Sequence, residues 1–310
     1  MSARILDGQA VATAIRTELR PQVERFAAAH GRAPGLAIVL AGHNPASEIY
    51  VGSKLKTGGD VGFRTTLERL PATAGVDEAL ALVDRLNRDD TVDGILVQSP
   101  LPDGMGKGAA QRVFDAIDPA KDVDGFTPVN VGRLVQNRAV LKACTPAGVM
   151  QLLDREGIAL AGRRAVVVGR SDIVGKPMAM MLLHRDCTVT ICHSKTPDLA
   201  ATCASADILV AAIGRAAFVT RDFVKPGATV IDVGMNQITD AGEARRIFSP
   251  GSAKLAAFEK KGSVLVGDVH PNVADVAGAL TPVPGGVGPL TIAMLMHNTL
   301  RAAEARARGR

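Results

Sequence analysis

Apolar positions along this chain follow two rhythms that alternate almost from end to end. Helical spacing from about Gln9 to His30 gives way to Leu36-Ala-Ile-Val-Leu40, a continuous apolar run that predicts a buried strand. Pro45 and Ser47 then open a predicted helix to about Thr57, with Gly58 and Gly59 expected to close it. A short strand near Phe63–Leu70, a helix over Val76–Leu86 and a strand over Asp93–Gln98 follow. The segment Pro100–Gly125 is rich in Pro, Gly and Asp and reads as a loop holding a short helix. A boundary falls near Cys144-Thr-Pro146, where Pro146 suits the start of a helix. The second half repeats the alternation: strand Arg164–Val168, helix Gly175–His184, strand Thr188–Cys192, helix Asp198–Ser205, and strands Asp207–Ile213 and Ala228–Val233. Val264–Val266 is expected as a weak final strand, Asn236–Lys261 as a polar surface excursion, and Pro289–Ala305 as a closing helix. The pattern predicts an α/β protein of two domains built on parallel sheets.

Composition narrows the function. The chain has 310 residues, 47% hydrophobic, with no Trp and one Tyr, so its cores must be aliphatic, as helix-covered parallel sheets prefer. The net charge of +5 comes from interspersed residues with no aromatic-laced basic run, which argues against nucleic acid as a partner. No apolar run approaches membrane-spanning length, and the opening residues lack the apolar core of a secretory signal. Arg16 and Arg20 there are offset by Asp7, Glu18 and Glu24, unlike a mitochondrial presequence. Cys144, Cys187, Cys192 and Cys203 show no metal-site or disulfide spacing. The expectation is a cytoplasmic protein with free thiols, no metal and no membrane anchor.

One turn has the chemistry of a phosphate site. Val168-Gly169-Arg170-Ser171-Asp172-Ile173-Val174-Gly175 joins a strand to a helix start, where free N–H groups and the helix dipole face an anion. Its spacing is not that of the common dinucleotide fingerprint, so a purely structural turn remains the competing reading. The following strand ends Cys192-His193-Ser194-Lys195 with no carboxylate for ribose hydroxyls. With Arg170 nearby, that tip favours the 2′-phosphate of NADP over NAD, although a solvated Lys and Arg at a strand tip would look the same.

Tyr50 and Lys54 stand four residues apart on one predicted helix face. A partly buried Lys loses basicity and can exchange protons near neutral pH, whereas a snorkelling surface Lys beside a half-buried Tyr is the plainer alternative. Gln98 ends a strand at its carboxyl edge, where open parallel sheets place ligands, and its amide can orient a Lys. Asp122 and Asp124 flank Val123 in a loop bounded by glycine. One carboxylate there can grip a guanidine-like heterocycle edge, or serve only as a turn residue.

Together, six blocks resemble the folate dehydrogenase/cyclohydrolase family in order and over nearly the whole chain. They are Ala46–Lys56, Gly94–Pro102, Lys121–Gly125, Thr145-Pro146, Gly169–Pro177 and Thr281–Pro289. The resemblance implies an N-terminal catalytic domain, residues 1–143 completed by 285–310, and a Rossmann-like NADP-binding domain, residues 144–284. It implies oxidation of 5,10-methylenetetrahydrofolate with NADP, then hydrolysis to 10-formyltetrahydrofolate, in a homodimer joined through the cofactor domains. Lys54 would be the catalytic lysine supported by Tyr50 and Gln98. Asp124 would bind the pterin, with Tyr50, Pro284 and Gly288 also on the substrate. Gly169, Arg170, Ser171, Ser194 and Met235 would hold the cofactor. Ser99 in place of an expected Leu, the length of the 236–261 excursion, and His270-Pro271 depart from the family pattern. A shikimate-type dehydrogenase, a catalytically silent NADP-binding regulator and a monofunctional relative are the alternatives. The first would not need Tyr50, Lys54, Gln98 and Asp124 together, and the others predict losses or changes around the lysine that are absent.

Overall fold

In the computed structural model, residues 3–309 are described. β1 (Arg4–Ile5) leads into α1 (Gly8–His30), followed by β2 (Gly35–Ala41), α2 (Pro45–Val61), β3 (Arg64–Leu70), α3 (Val76–Arg88) and β4 (Gly94–Val97). α4 (Ala109–Asp115), α5 (Pro128–Val135) and α6 (Cys144–Arg155) precede a second alternating run. That run is β5 (Arg164–Val168), α7 (Gly175–Leu183), β6 (Thr188–Cys192), α8 (Leu199–Cys203), β7 (Ile208–Ala211) and β8 (Thr229–Asp232). β9 (Asn236–Ile238), α9 (Ala241–Ile247), α10 (Ala253–Lys261), β10 (Val264–Val266), β11 (Ala279–Leu280) and α11 (Val287–Arg308) complete the chain. The elements divide into two units: Ala12–Cys144 with Ile292–Arg310, here the Lys54 unit, and Met1–Val11 with Thr145–Thr291, the Gly169 unit.

The Lys54 unit is built on a parallel sheet in the order β3-β2-β4. β2 is buried along its whole length, as its unbroken apolar run requires. With β2 central, the strand order reverses at its carboxyl end, the place where such sheets open a crevice. Lys121–Asp124 extends this edge: Ile95 bridges Asp122 in parallel and donates its N–H to the Lys121 carbonyl at 2.8 Å. Asp124 therefore emerges at the same end of the sheet as Gln98. Helix α2 starts where expected, with Asn44 accepting from Ser47 N–H and Pro45 in the first turn. It does not stop at Gly58-Gly59 but continues to Val61, and Gly62 closes it in the left-handed region at φ 102°. Gly58 serves packing instead, since a Cβ there would lie 2.3 Å from Thr65 Cγ2 on β3.

The Gly169 unit holds a parallel sheet in the order β1-β11-β8-β7-β5-β6. Two of its strands, β1 and β11, are only two residues long and carry no periodicity to find. Their pairing draws the first residues into this unit rather than into the Lys54 unit. Residues 285–291 also group here, and the helical return of the chain to the Lys54 unit begins at Ile292. Val264–Val266 is not in the main sheet; it pairs antiparallel with β9. The stretch expected to be a polar excursion has its own small core, in which Ile238, Ile247, Phe248, Leu255, Phe258 and Val266 are packed together. Its charged residues hide two short helices whose inner faces are apolar. No helix among the described residues is long and apolar enough to cross a membrane.

Candidate active site and cofactor pocket

In the Lys54 unit, α2 carries Lys54 against the carboxyl end of β4. Lys54 Nζ donates to Gln98 Oε1 at 2.9 Å, and Gln98 Nε2 donates to the Ser99 carbonyl at 2.6 Å. The amide is thus held by its nitrogen and presents its oxygen to the amine. Burial pushes the Lys54 ammonium below its ordinary range, opposed by the nearby Asp124 carboxylate and the Cys144 sulfur. Asp124 moves the other way, to about 6, because burial disfavours its charge; Lys54 opposes this and Asp122 reinforces it. Burial thus weakens both the base and the acid, which brings their two ionisations closer together. Tyr50, one turn before Lys54 on α2, is 38% exposed. Partial burial raises its phenol further, so it stays protonated and can donate.

The two aspartates that local spacing alone did not distinguish, and of which the resemblance chose Asp124, have different surroundings. Asp122 is 1% exposed and accepts from Gly125, Phe126 and Thr127 N–H, Thr127 Oγ1 and Asn130 Nδ2. It is the clasp of the loop. Asp124, outside that network, is close enough to Lys54 for each to shift the other's ionisation. Neighbouring Lys121 is 1% exposed and donates to the carbonyls of Leu86, Asn87 and Asp89, closing the carboxyl end of α3. Asn298 on α11, missed in the sequence, donates to the carbonyls of Val123 and Lys142 at 2.8 Å each. The Cys144 thiol donates to the same Val123 carbonyl at 3.2 Å, and burial holds it far above the ordinary thiol range. Neither residue belongs to a local motif that could have flagged it. Ser99 remains exposed, with its carbonyl taken up by Gln98 and, at 3.4 Å, by Ser47 Oγ.

In the Gly169 unit, β5 lies between β6 and β7, so the strand order reverses at its carboxyl end. A cavity of about 470 Å³ opens there, lined by Gly169, Arg170, Ser171, Ser194, Ile213 and Arg215 among others. Gly169 has φ 127°, and a Cβ would lie 2.2 Å from the Ala212 carbonyl oxygen. A Cβ on Gly175 would lie 2.3 Å from the Gly169 carbonyl oxygen. Ser171 Oγ accepts from Val174 and Gly175 N–H and so caps the start of α7. The turn is therefore a bare-backbone cradle with a cationic and a hydroxyl group at its rim, which fits a dinucleotide phosphate. Ser194 follows β6 and is exposed, in a turn where His193 Nδ1 accepts from Lys195 N–H at 3.2 Å. Met235 is 41% exposed, and its methyl is 3.2 Å from where a Cβ on Gly288 would stand. Pro284 is exposed, after the Val283 carbonyl that accepts from Lys254 Nζ at 2.6 Å. Pro284, Gly288 and Met235 thus share the Gly169 unit. His270 caps a short turn by accepting from Asn272 N–H, a structural task. Among the described residues, no cluster of His, Cys, Asp or Glu is arranged to hold a metal ion.

The chain matches two family models: that of the tetrahydrofolate dehydrogenase/cyclohydrolase catalytic domain over residues 6–124, and that of the family's NAD(P)-binding domain over residues 143–307. It is 59% identical to the bifunctional protein FolD of Solibacter usitatus, with 98% of each chain covered. It is similar to the crystal structure of the bifunctional FolD dehydrogenase/cyclohydrolase of Campylobacter jejuni at TM-score 0.86 and 40% identity, covering 98% of this chain and 100% of that one. It is also similar to the Trypanosoma brucei methylenetetrahydrofolate dehydrogenase-cyclohydrolase, complexed with NADP and an inhibitor, at TM-score 0.87 and 38% identity, covering 99% of each.

Proposed function

This chain belongs to the tetrahydrofolate dehydrogenase/cyclohydrolase family, and from that premise we propose how its residues divide the work of oxidising 5,10-methylenetetrahydrofolate with NADP and hydrolysing the methenyl product to 10-formyltetrahydrofolate. The observation that carries the reading is the half-buried Lys54 amine, fixed by Gln98 at 2.9 Å and standing near Asp124.

NADP, when bound, accepts the hydride released by the methylene carbon, a step that asks the protein for positioning more than for acid–base help. The Gly169 turn and the start of α7 receive the phosphates, with Arg170, Ser171 and Ser194 at the rim. The resemblance to the family assigns Met235 to the cofactor and Pro284 and Gly288 to the folate. In the Lys54 unit, Asp124 takes the guanidine-like edge of the pterin, and Tyr50, protonated at neutral pH, packs against the substrate. Hydrolysis of the methenyl cation needs a proton removed from water and one returned to a ring nitrogen. Lys54, depressed by burial, takes the first and returns the second, while the Gln98 oxygen holds one of its N–H bonds and so aims the remaining lone pair.

Lys54→Met keeps the bulk of the side chain without its amine. Hydrolysis of methenyltetrahydrofolate, followed by absorbance, should fall about 10²–10⁴-fold while NADPH formation continues. Hydrolysis at the unsubstituted rate would remove Lys54 from this role, and absence of NADPH formation by the unsubstituted chain would remove the folate assignment.

We further propose a cytoplasmic homodimer joined through the Gly169 unit. β6 is an edge strand with Thr188, Thr190 and Ile191 exposed, and Leu183 at the end of α7 is 50% exposed. The four cysteines are buried and unpaired, as suits a reducing compartment.

A further inference from the structure

The wall of the cofactor cavity formed by Ile213 and Arg215 follows β7 and belongs to no regular element. Three successive backbone N–H groups of this wall point at one side chain. Asp268, with no exposed surface, accepts Ile213 N–H at 2.6 Å and Gly214 N–H at 3.0 Å on Oδ2, and Arg215 N–H at 2.8 Å on Oδ1. Asn236 Nδ2 from β9 adds a fourth donor at 3.0 Å. The carboxylate also packs closely on Gly234, where a Cβ would fall 2.3 Å from its Oδ1.

A second buried carboxylate holds the first in place. Asp232, at the end of β8, accepts from the N–H groups of Gly234, Asp268 and Val269, and its own N–H donates to Thr281 Oγ1 at 2.7 Å. The path runs from the central sheet through Asp232 and Asp268 to the cavity wall without a gap.

Consecutive N–H groups converging in this way make a concave anion site, and an unfilled one beside a dinucleotide pocket would compete for its phosphates. Here it is filled from within. We propose that Asp268 is a positioning residue for the cofactor: by occupying this N–H nest it sets the 213–215 wall and leaves the Gly169 turn as the phosphate site. The wall then offers the Ile213 side chain and the Arg215 guanidinium, which lies 4.1 Å from the centre of the Phe218 ring, instead of bare backbone donors. This inference rests on the NADP reading of the cavity.

The two activities separate the proposal from general loss of structure, because methenyltetrahydrofolate hydrolysis consumes no cofactor. Asp268→Asn keeps the shape but turns one acceptor into a donor facing N–H groups. We expect its KM for NADP and its Kd for NADPH, read by nucleotide fluorescence, to rise about ten-fold or more, with hydrolysis changed less than about two-fold. Asn236→Ser removes a single outer donor and should shift the same two constants by about two- to five-fold. An unchanged NADP KM in a folded Asp268→Asn protein overturns the proposal. So does an equal fall of both activities in Asn236→Ser, which also decides the matter if Asp268→Asn does not fold. If the unsubstituted chain hydrolyses methenyltetrahydrofolate but binds no NADPH, the cofactor reading fails, and the inference with it.

Discussion

At the scale of single residues, burial rather than an ion-pair partner dominates the ionisation of Lys54 and Asp124. Burial pushes the Asp124 carboxyl up to about 6, and Lys54 is weakened by the same cause. A pterin edge requires the ionised carboxylate, which predominates above pH 6 and is lost as the pH falls through that value. The KM for the folate substrate should therefore rise as the pH is lowered from 7 to 5. Asp124→Asn should have a high KM with no such dependence. Steady-state kinetics over that range would decide it, and a flat profile in the unsubstituted enzyme would count against Asp124 as the pterin ligand. The Lys121 ammonium, buried on three carbonyls, is a different case: its charge serves the fold. Lys121→Met leaves those acceptors without a donor and should cost about 3 kcal/mol of stability, measurable by denaturant unfolding.

At the scale of elements, three neighbouring glycines in and after α2 differ in whether glycine is required. A Cβ on Gly59 would meet nothing within 4 Å, whereas one on Gly58 would strike Thr65 at 2.3 Å. Gly62 needs none of that crowding to matter, since its φ of 102° is itself costly for any side chain. Gly59→Ala should therefore stabilise the protein by about 0.5–1 kcal/mol. Gly62→Ala should destabilise it by about 1–2 kcal/mol, and Gly58→Ala should also destabilise it by forcing α2 away from β3. Thermal unfolding of the three variants would test the assignment, and a common sign would refute it. Since α2 carries both Tyr50 and Lys54, Gly58→Ala should also impair hydrolysis, which Gly59→Ala should not.

For the whole molecule, binding of NADP to the folded state alone should raise stability by about 2.7 kcal/mol at one hundred times its dissociation constant. Gly169→Ala places a methyl 2.2 Å from a backbone oxygen in the phosphate cradle. It should abolish the NADP-dependent rise in Tm while hydrolysis in the Lys54 unit persists. Parallel loss of hydrolysis would mean that the two units do not divide the work as proposed.

Local sequence was enough for what local physics controls. The continuous apolar runs marked β2, β4, β5 and β7, because a strand buried on both faces needs no polar positions. The i, i+4 spacing placed Tyr50 and Lys54 on one helix, and the blocks around them marked the family. Tertiary structure decided the rest. β1 and β11 exist only because each has a neighbour to pair with, and two residues cannot announce that. The end of α2 was set by Gly62 because Gly58 was needed against β3. Asp122 and Asp124 look alike in local spacing; the family resemblance pointed to Asp124, and the five donors gathered around Asp122 give the physical reason that Asp122 is the clasp. In Gly267-Asp-Val-His-Pro271 the histidine drew the eye, yet Asp268 holds the cavity wall through partners 32 to 55 residues away. The physical reason is the same in each case: sequence displays periodicity and local spacing, while a buried charge is defined by the donors that the fold brings to it.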